Sequence, residues 1–84
     1  MVVAPANRPP KPRGYRVILD DPGLNMLAVI TAVRAAVGIS LVEAKVLVRN
    51  APGTVATMTD KDDADALLAT LITLGAAARV EPHL

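Results

Sequence analysis

The sequence contains no cysteine, no tryptophan and no phenylalanine, and its single aromatic residue is Tyr15. Because cysteine is absent, neither a disulfide framework nor thiolate chemistry is available, which fits a reducing cytoplasm. Because aromatic residues are nearly absent, the core must be built from the small aliphatic residues that dominate the 52% hydrophobic fraction. With 84 residues there is room for one core, so we expect a single cytoplasmic domain.

Residues that carry catalysis or hold metals are also scarce. His83 is the only histidine and lies beside the carboxyl terminus, so no catalytic dyad or histidine cluster can be assembled. The aspartates at positions 60, 62, 63 and 65 lack the glycine and terminal glutamate of a calcium loop, and helix capping explains them better than a metal site. We expect no enzymatic activity, no cofactor and no metal.

Long apolar runs are missing as well, because charged residues interrupt each stretch before it reaches the length of a membrane span. The net charge of +1 is unevenly distributed: residues 1–14 carry Arg8, Lys11 and Arg13 without an acid, which leaves 6 − 8 = −2 for residues 15–84. The folded part therefore offers no basic stripe for nucleic acid. We expect no membrane contact, and only weak phosphate contacts by the amino-terminal residues.

Residues 1–13 contain four of the seven prolines. Proline favours extended conformations over packed elements, so we interpret 1–13 as a flexible, basic arm and 14–84 as the folded domain. The RPPKPR run of the arm is typical of linkers, and less often of ligands for grooves that bind polyproline.

Turn and capping signals divide the folded part into six elements. We expect strands at 15–19, 54–58 and 77–81, with a turn at 20–23 and frayed residues at 82–84. A helix at 26–37 is predicted between the cap Asn25 and the terminator Gly38. A capping box of Ser40 and Glu43 starts a second helix at 41–49.

A third helix is predicted after Thr59 or Asp60, with a buried stripe of Ala64, Leu67, Leu71 and Leu74 that ends at Gly75. The resulting order is βααβαβ. It predicts an α+β domain of two layers, in which three helices cover one face of a three-stranded sheet and the other face stays open to water.

The first helix is apolar on two sides. At 100° per residue, Val29, Ala32, Val33 and Ala36 share one face, and Leu27, Ile30, Thr31 and Arg34 share the opposite face. A domain of this size has little interior for the second face, so we expect Leu27 and Ile30 to be exposed and to bind a partner. A helix sandwiched within its own fold is the alternative.

From Tyr15 to Glu81 the chain resembles the C-terminal domain of the bacterial large-subunit ribosomal stalk protein. The strings EAK-x-LV and KDDA-x-AL, at this separation, are the most specific part of the likeness. The matching residues are VIL at 17–19, Asn25, AVI-x-AVR at 28–34, Gly38, L-x-EAK-x-LV at 41–48, Ala51 and Pro52, and KDDA-x-AL at 61–67. The resemblance implies a compact βααβαβ domain, which agrees with the order derived above.

That family recruits translational GTPases through its first helix and the start of its second. The resemblance therefore implies partner contacts by Leu27, Ile30, Arg34 and Lys45, with Gly38 letting the two helices approach each other. Met26, Thr31 and Val42 stand where the family usually has lysine, so these positions belong to the same predicted site with a reduced cationic rim. The family's dimerisation domain and hinge have no counterpart in this sequence.

Two alternatives remain open. The start of the domain, YRVILDDP, also resembles the adaptor that delivers substrates to the Clp protease, although Asn50 stands near the place where that adaptor needs a histidine. Val46 and Ile72 occupy positions where the stalk family tends to have charge, so they either suit a new partner or pair two copies of the chain in a homodimer.

Overall fold

The computed structural model describes residues 12–83, and within them it forms a helical layer on a three-stranded sheet. This confirms the predicted βααβαβ order and the α+β class. The elements are β1 (Gly14–Asp21), α1 (Met26–Val37), α2 (Leu41–Arg49), β2 (Gly53–Met58), α3 (Lys61–Thr73) and β3 (Ala77–His83).

The sheet is antiparallel with strand order β2-β1-β3, so β1 is the central strand. Side chains alternate across β1: Val17 and Leu19 are fully buried under the helices, whereas Arg16 and Ile18 belong to the opposite face. The register with β2 shifts between Val17 and Ile18. This irregularity leaves two consecutive residues of β2, Val55 and Ala56, in the core.

The core lies between the sheet and all three helices, and it consists of aliphatic side chains, as the composition requires. Its largest fully buried members are Leu19, Leu71, Val17, Val29, Val33 and Val48. Each helix contributes to the same cluster, so the three helices pack as one layer on the sheet.

The other face of the sheet carries ion pairs. Arg79 Nε lies 3.7 Å from Asp20 Oδ2, and Arg79 Nη1 lies 3.5 Å from Glu81 Oε1. Glu81 Oε2 in turn lies 3.8 Å from Arg16 Nη2. Beneath this row, Ile18 is paired in register with Arg79 and is 8% exposed. The exposed ion pairs make this face polar and open to water, as predicted, although Ile18 itself is buried.

The predicted ends of α1 and α2 agree with the structure, but only some of the predicted capping hydrogen bonds are present among residues 12–83. Ser40 Oγ accepts a hydrogen bond from the backbone N–H of Glu43 at 3.1 Å. The return bond of a capping box, from the Ser40 N–H to the Glu43 carboxylate, is absent among residues 12–83. Asn25 occupies the N-cap position of α1 as predicted, but its side chain makes no capping hydrogen bond.

The acidic run is confirmed as the start of α3. Asp60 Oδ1 accepts a hydrogen bond from the Asp62 N–H at 3.0 Å. The Lys61 ammonium donates to Asp65 Oδ2 at 2.9 Å, and this bond together with the charge of Asp65 raises the pKa of Lys61. Ala64, Leu67 and Leu71 are buried as predicted, and Leu74 packs partly buried against the core.

The prediction that residues 82–84 fray is wrong for the two of them that the structure describes. Pro82 pairs with Tyr15 and His83 with Gly14, which extends β3 by two residues. The Arg13 N–H also donates to the His83 carbonyl oxygen at 2.8 Å. A proline is tolerated there because β3 is an edge strand, whose second side needs no hydrogen bond.

Candidate functional site

The candidate site is the exposed side of the hairpin formed by α1 and α2, which pack against each other. The two helices are joined by only three residues, so they run back along one another. Leu27 on α1 and Val42 on α2 are each 71% exposed. We name as the hairpin face the exposed residues Met26, Leu27, Thr31, Arg34, Gly38, Val42 and Lys45.

The predicted exposure of Ile30 is wrong. Ile30 is 5% exposed and belongs to the core cluster that also contains Ala44 and Val48 of α2. Ala36, which was assigned to the buried side, is exposed instead. The buried arc of α1 is therefore centred on Val29, Ile30 and Val33, because α2 folds back against α1 and covers the edge where Ile30 lies.

Thr31 contributes less polarity to the hairpin face than its type suggests. Its hydroxyl donates a hydrogen bond to the Leu27 carbonyl oxygen, one helical turn earlier, at 3.0 Å. The hydroxyl proton is thereby used within the helix. Thr31 therefore continues the apolar surface of Leu27 and offers a partner its methyl group and an acceptor oxygen.

The hairpin face also carries two exposed cations. Arg34 lies on α1 and Lys45 on α2, and neither has an ion-pair partner among residues 12–83, unlike Arg16, Lys61 and Arg79. The hairpin carries three cations and one acid over residues 26–49, a net charge of 3 − 1 = +2. This combination is suited to an acidic partner, because Arg34 is able to bind a carboxylate with two parallel hydrogen bonds.

Gly38 connects the two helices in the left-handed conformation, with φ 75° and ψ 31°. Its N–H donates to the Arg34 carbonyl oxygen at 2.9 Å, which closes α1. A Cβ atom at Gly38 would meet no atom within 4 Å. The structure thus corrects the reason for glycine here: the backbone angle requires it, and close helix approach does not.

A shallow apolar groove continues the surface on the far side of α2. It encloses about 320 Å³ and is lined by Ile39, Val42, Glu43, Val46 and Leu47. Val42 belongs to both the groove and the hairpin face. Val46 is among the residues singled out from the sequence, but Ile39 and Leu47 are not. The spacing of Val42 and Val46 by four residues nevertheless indicates one apolar strip on α2.

Leu24 was also missed. It is fully exposed in the connection between β1 and α1, two residues before Met26. A leucine without any burial adjoins the start of the hairpin face, so it enlarges the apolar surface there. Its signal in the sequence is an isolated leucine directly after the turn ending at Gly23.

Other kinds of site find little support in the part of the chain that the structure describes. Residues 12–83 contain no group of three or more His, Cys, Asp or Glu side chains placed to hold a metal ion. None of the described helices is long and apolar enough to cross a membrane. Asn50, which stands near the place where the Clp adaptor needs a histidine, is exposed at the carboxyl end of α2.

The family model described as "Ribosomal protein L7/L12 C-terminal domain" matches residues 15–81. The match begins at the second residue of β1 and ends in β3, so it includes every helix and the entire hairpin face.

Proposed function

The chain belongs to the family of ribosomal protein L7/L12 C-terminal domains, and we propose that its hairpin face binds translational GTPases. The family is one of non-catalytic binding domains of the ribosomal stalk. The observation that carries the proposal is the exposure of two apolar residues, Leu27 on α1 and Val42 on α2, on a hairpin that also carries the unpaired cations Arg34 and Lys45.

The two exposed apolar residues support a specific but weak contact. Burying a leucine or valine side chain completely contributes about 1.5–3 kcal/mol, so these two residues are energetic centres of a small interface. Interfaces of this size bind and release quickly. Rapid exchange suits a domain that hands successive factors to the ribosome.

The two cations support recognition of a partner whose binding surface is bordered by acidic residues. Arg34 and Lys45 gain most when a carboxylate replaces the water around them, because hydrogen bonds between charged groups are stronger than neutral ones. The family's additional lysines are replaced here by Met26, Thr31 and Val42. We therefore expect slower electrostatic steering and a binding energy that depends more on apolar contact and less on salt concentration.

Ile30 has a positioning role in this proposal. It is buried beneath the hairpin face and shares a cluster with residues of α2, so it holds α1 and α2 at a fixed separation. The partner then meets Leu27 and Arg34 on a preformed surface, which reduces the entropy cost of binding.

We assign the chain no reaction and no cofactor, and we propose that it acts in the cytoplasm with the translation machinery. His83, its only histidine, lies in β3 in register with Gly14. The prediction that residues 1–13 form a separate arm concerns residues 1–11 above all, and these lie outside the residues that the structure describes.

Amide chemical shifts measured while an elongation factor in its GTP form is added test the proposal. We expect progressive shifts in residues 26–45 and none in α3 or β3. Absence of shifts in 26–45 at several hundred micromolar factor would contradict it. A peptide that begins with leucine is the matched probe for the adaptor alternative, and shifts near Asp20 and Asn50 would favour that function instead.

A concentration series of the chain alone tests the homodimer alternative. Val46 and Ile72 are 51% and 55% exposed, so both are available for self-association. A monomer by sedimentation at tens of micromolar, with the same mass for Ile72→Asp, would leave binding to another protein as the use of the exposed residues.

A further inference from the structure

A groove lies on the side of α1 that faces away from the hairpin face. Ala36, which lines it, follows Leu27 by nine residues, and at 100° per residue this places the two on opposite sides of the helix. The groove encloses about 790 Å³ between α1, the end of β2 and α3. We call it the α1–α3 groove.

Small side chains keep the α1–α3 groove open. The α1 wall consists of Ala32, Ala35 and Ala36, and α3 contributes Ala66 and Thr70. The lining also includes the longer side chains of Leu67 and Met58, but Leu67 belongs to the core cluster and Met58 packs against it. An extended peptide is therefore able to lie along the alanine walls without displacing the core.

One end of the groove is acidic. Asp60 and Asp63 line it there, and residues 60–65 carry one lysine and four aspartates, a net charge of 1 − 4 = −3. Asp60 is occupied in capping α3, and Lys61 is bonded to Asp65. Asp63 makes no side-chain hydrogen bond or ion pair within residues 12–83, so its carboxylate remains available to a cation.

The amino-terminal residues enter the fold beside this acidic end. Gly14 begins β1 next to Met58, since a Cβ atom on Gly14 would lie 3.0 Å from the Met58 carbonyl oxygen. Met58 and the next two residues, Thr59 and Asp60, line the groove. The residues before Gly14 carry three cations and no acid, so their charge is complementary to that of the groove.

We propose that the α1–α3 groove binds the chain's own residues 7–11 as an extended basic peptide, with Lys11 beside Asp63. The lengths agree: ten residues of α3 from Asp60 to Thr70 span about 15 Å, and five residues of proline-rich extended chain span about 15 Å. Prolines also restrict the unbound segment, which lowers the entropy cost of docking. The proposal is independent of the hairpin face, which stays open when the groove is filled.

Paramagnetic relaxation in the full-length chain tests the proposal. Because the sequence has no cysteine, Ala6→Cys provides a single attachment site for a nitroxide label. We expect the amide signals of Ala35, Ala66 and Thr70 to lose more than half of their intensity, while those of Val46 and Arg49 on α2 are retained. Equal losses on both sides of the hairpin would overturn the proposal.

Two variants and a mixing experiment complete the test. Ala35→Lys places a positive charge in the groove and should abolish the selective losses, whereas Ala69→Lys, on an exposed part of α3 outside the groove lining, should leave them unchanged. Losses that persist in Ala35→Lys would overturn the proposal. In the mixing experiment, spin-labelled chain is added to unlabelled chain whose amide signals are observed. Signal losses that arise only in this mixture would also overturn the proposal, because the occupant of the groove would then be a second copy of the chain.

Discussion

Leu27 and Ile30 lie three residues apart on α1, yet Leu27 is 71% exposed and Ile30 is 5% exposed. The two large aliphatic residues therefore divide the tasks of the helix. Ile30 holds the hairpin together from within the core, and Leu27 presents an apolar contact outside it. The proposed binding function depends on this division.

The first prediction concerns the free energy of unfolding of two matched truncations. Ile30→Ala should lower it by about 2–5 kcal/mol, because the change removes buried methyl groups and leaves a cavity. Leu27→Ala should change it by less than about 0.5 kcal/mol, as is usual for surface positions. Urea unfolding followed by circular dichroism measures both, and equal losses in the two variants would contradict the assignment.

The second prediction compares two glycines with nearly equal backbone angles. Gly23 and Gly38 have φ of 73° and 75°, so alanine at either position costs about 1–2 kcal/mol for the left-handed conformation. A Cβ on Gly23 would also collide with the carbonyl oxygen of Gly75, whereas Gly38 has open space. Gly23→Ala should therefore be clearly the more destabilising in thermal unfolding, and the reverse order would refute the packing at Gly75.

The third prediction compares the residues at the N-cap positions of α2 and α1. Ser40→Ala should destabilise the fold by about 1 kcal/mol, because the Glu43 N–H loses its acceptor. Asn25→Ala serves as the control and should stay within about 0.5 kcal/mol, since the Asn25 side chain makes no capping bond. Chemical denaturation of both variants checks this, and a larger loss at Asn25 would count against the described cap.

The fourth prediction concerns pH. The pKa of Lys61 is raised above 10.5 by its hydrogen bond to Asp65 and by the charge of Asp65. The stabilisation from this pair is therefore complete below the unfolded pKa and is lost as the pH rises through the folded pKa. In an NMR titration, Asp65→Asn should return the pKa of Lys61 towards its ordinary value. An unchanged pKa would show that the pair does not form in solution.

The helices were predictable because local chemistry fixes their ends. Ser40 and Gly38 act through their own side chain or backbone angle, and both signals are visible in the sequence. The same is true of Asp60 and the aspartates that follow it. Much of the KDDA-x-AL string is thus explained by the start of α3, with Asp60 before it and Ala64 and Leu67 buried.

The division between core and surface on α1 was less predictable. A helical projection gives the angle of Ile30 but does not say how wide an arc the neighbouring elements cover. Because α2 folds back on α1, that arc includes Ile30 and leaves Ala36 exposed. Likewise, the extension of β3 through Pro82 depends on the position of β3 at the sheet edge, which only the tertiary fold reveals.

The most direct test of the proposed function is the affinity of the chain for a translational GTPase in two variants that each truncate an exposed aliphatic residue. Leu27→Ala removes part of the hairpin face, and Ile72→Ala makes a comparable change on α3, where Ile72 is 55% exposed. We expect Leu27→Ala to raise the Kd at least about fivefold, which corresponds to about 1 kcal/mol, and Ile72→Ala to leave it unchanged. An unchanged Kd for Leu27→Ala, or an equal loss in both variants, would contradict the proposed function.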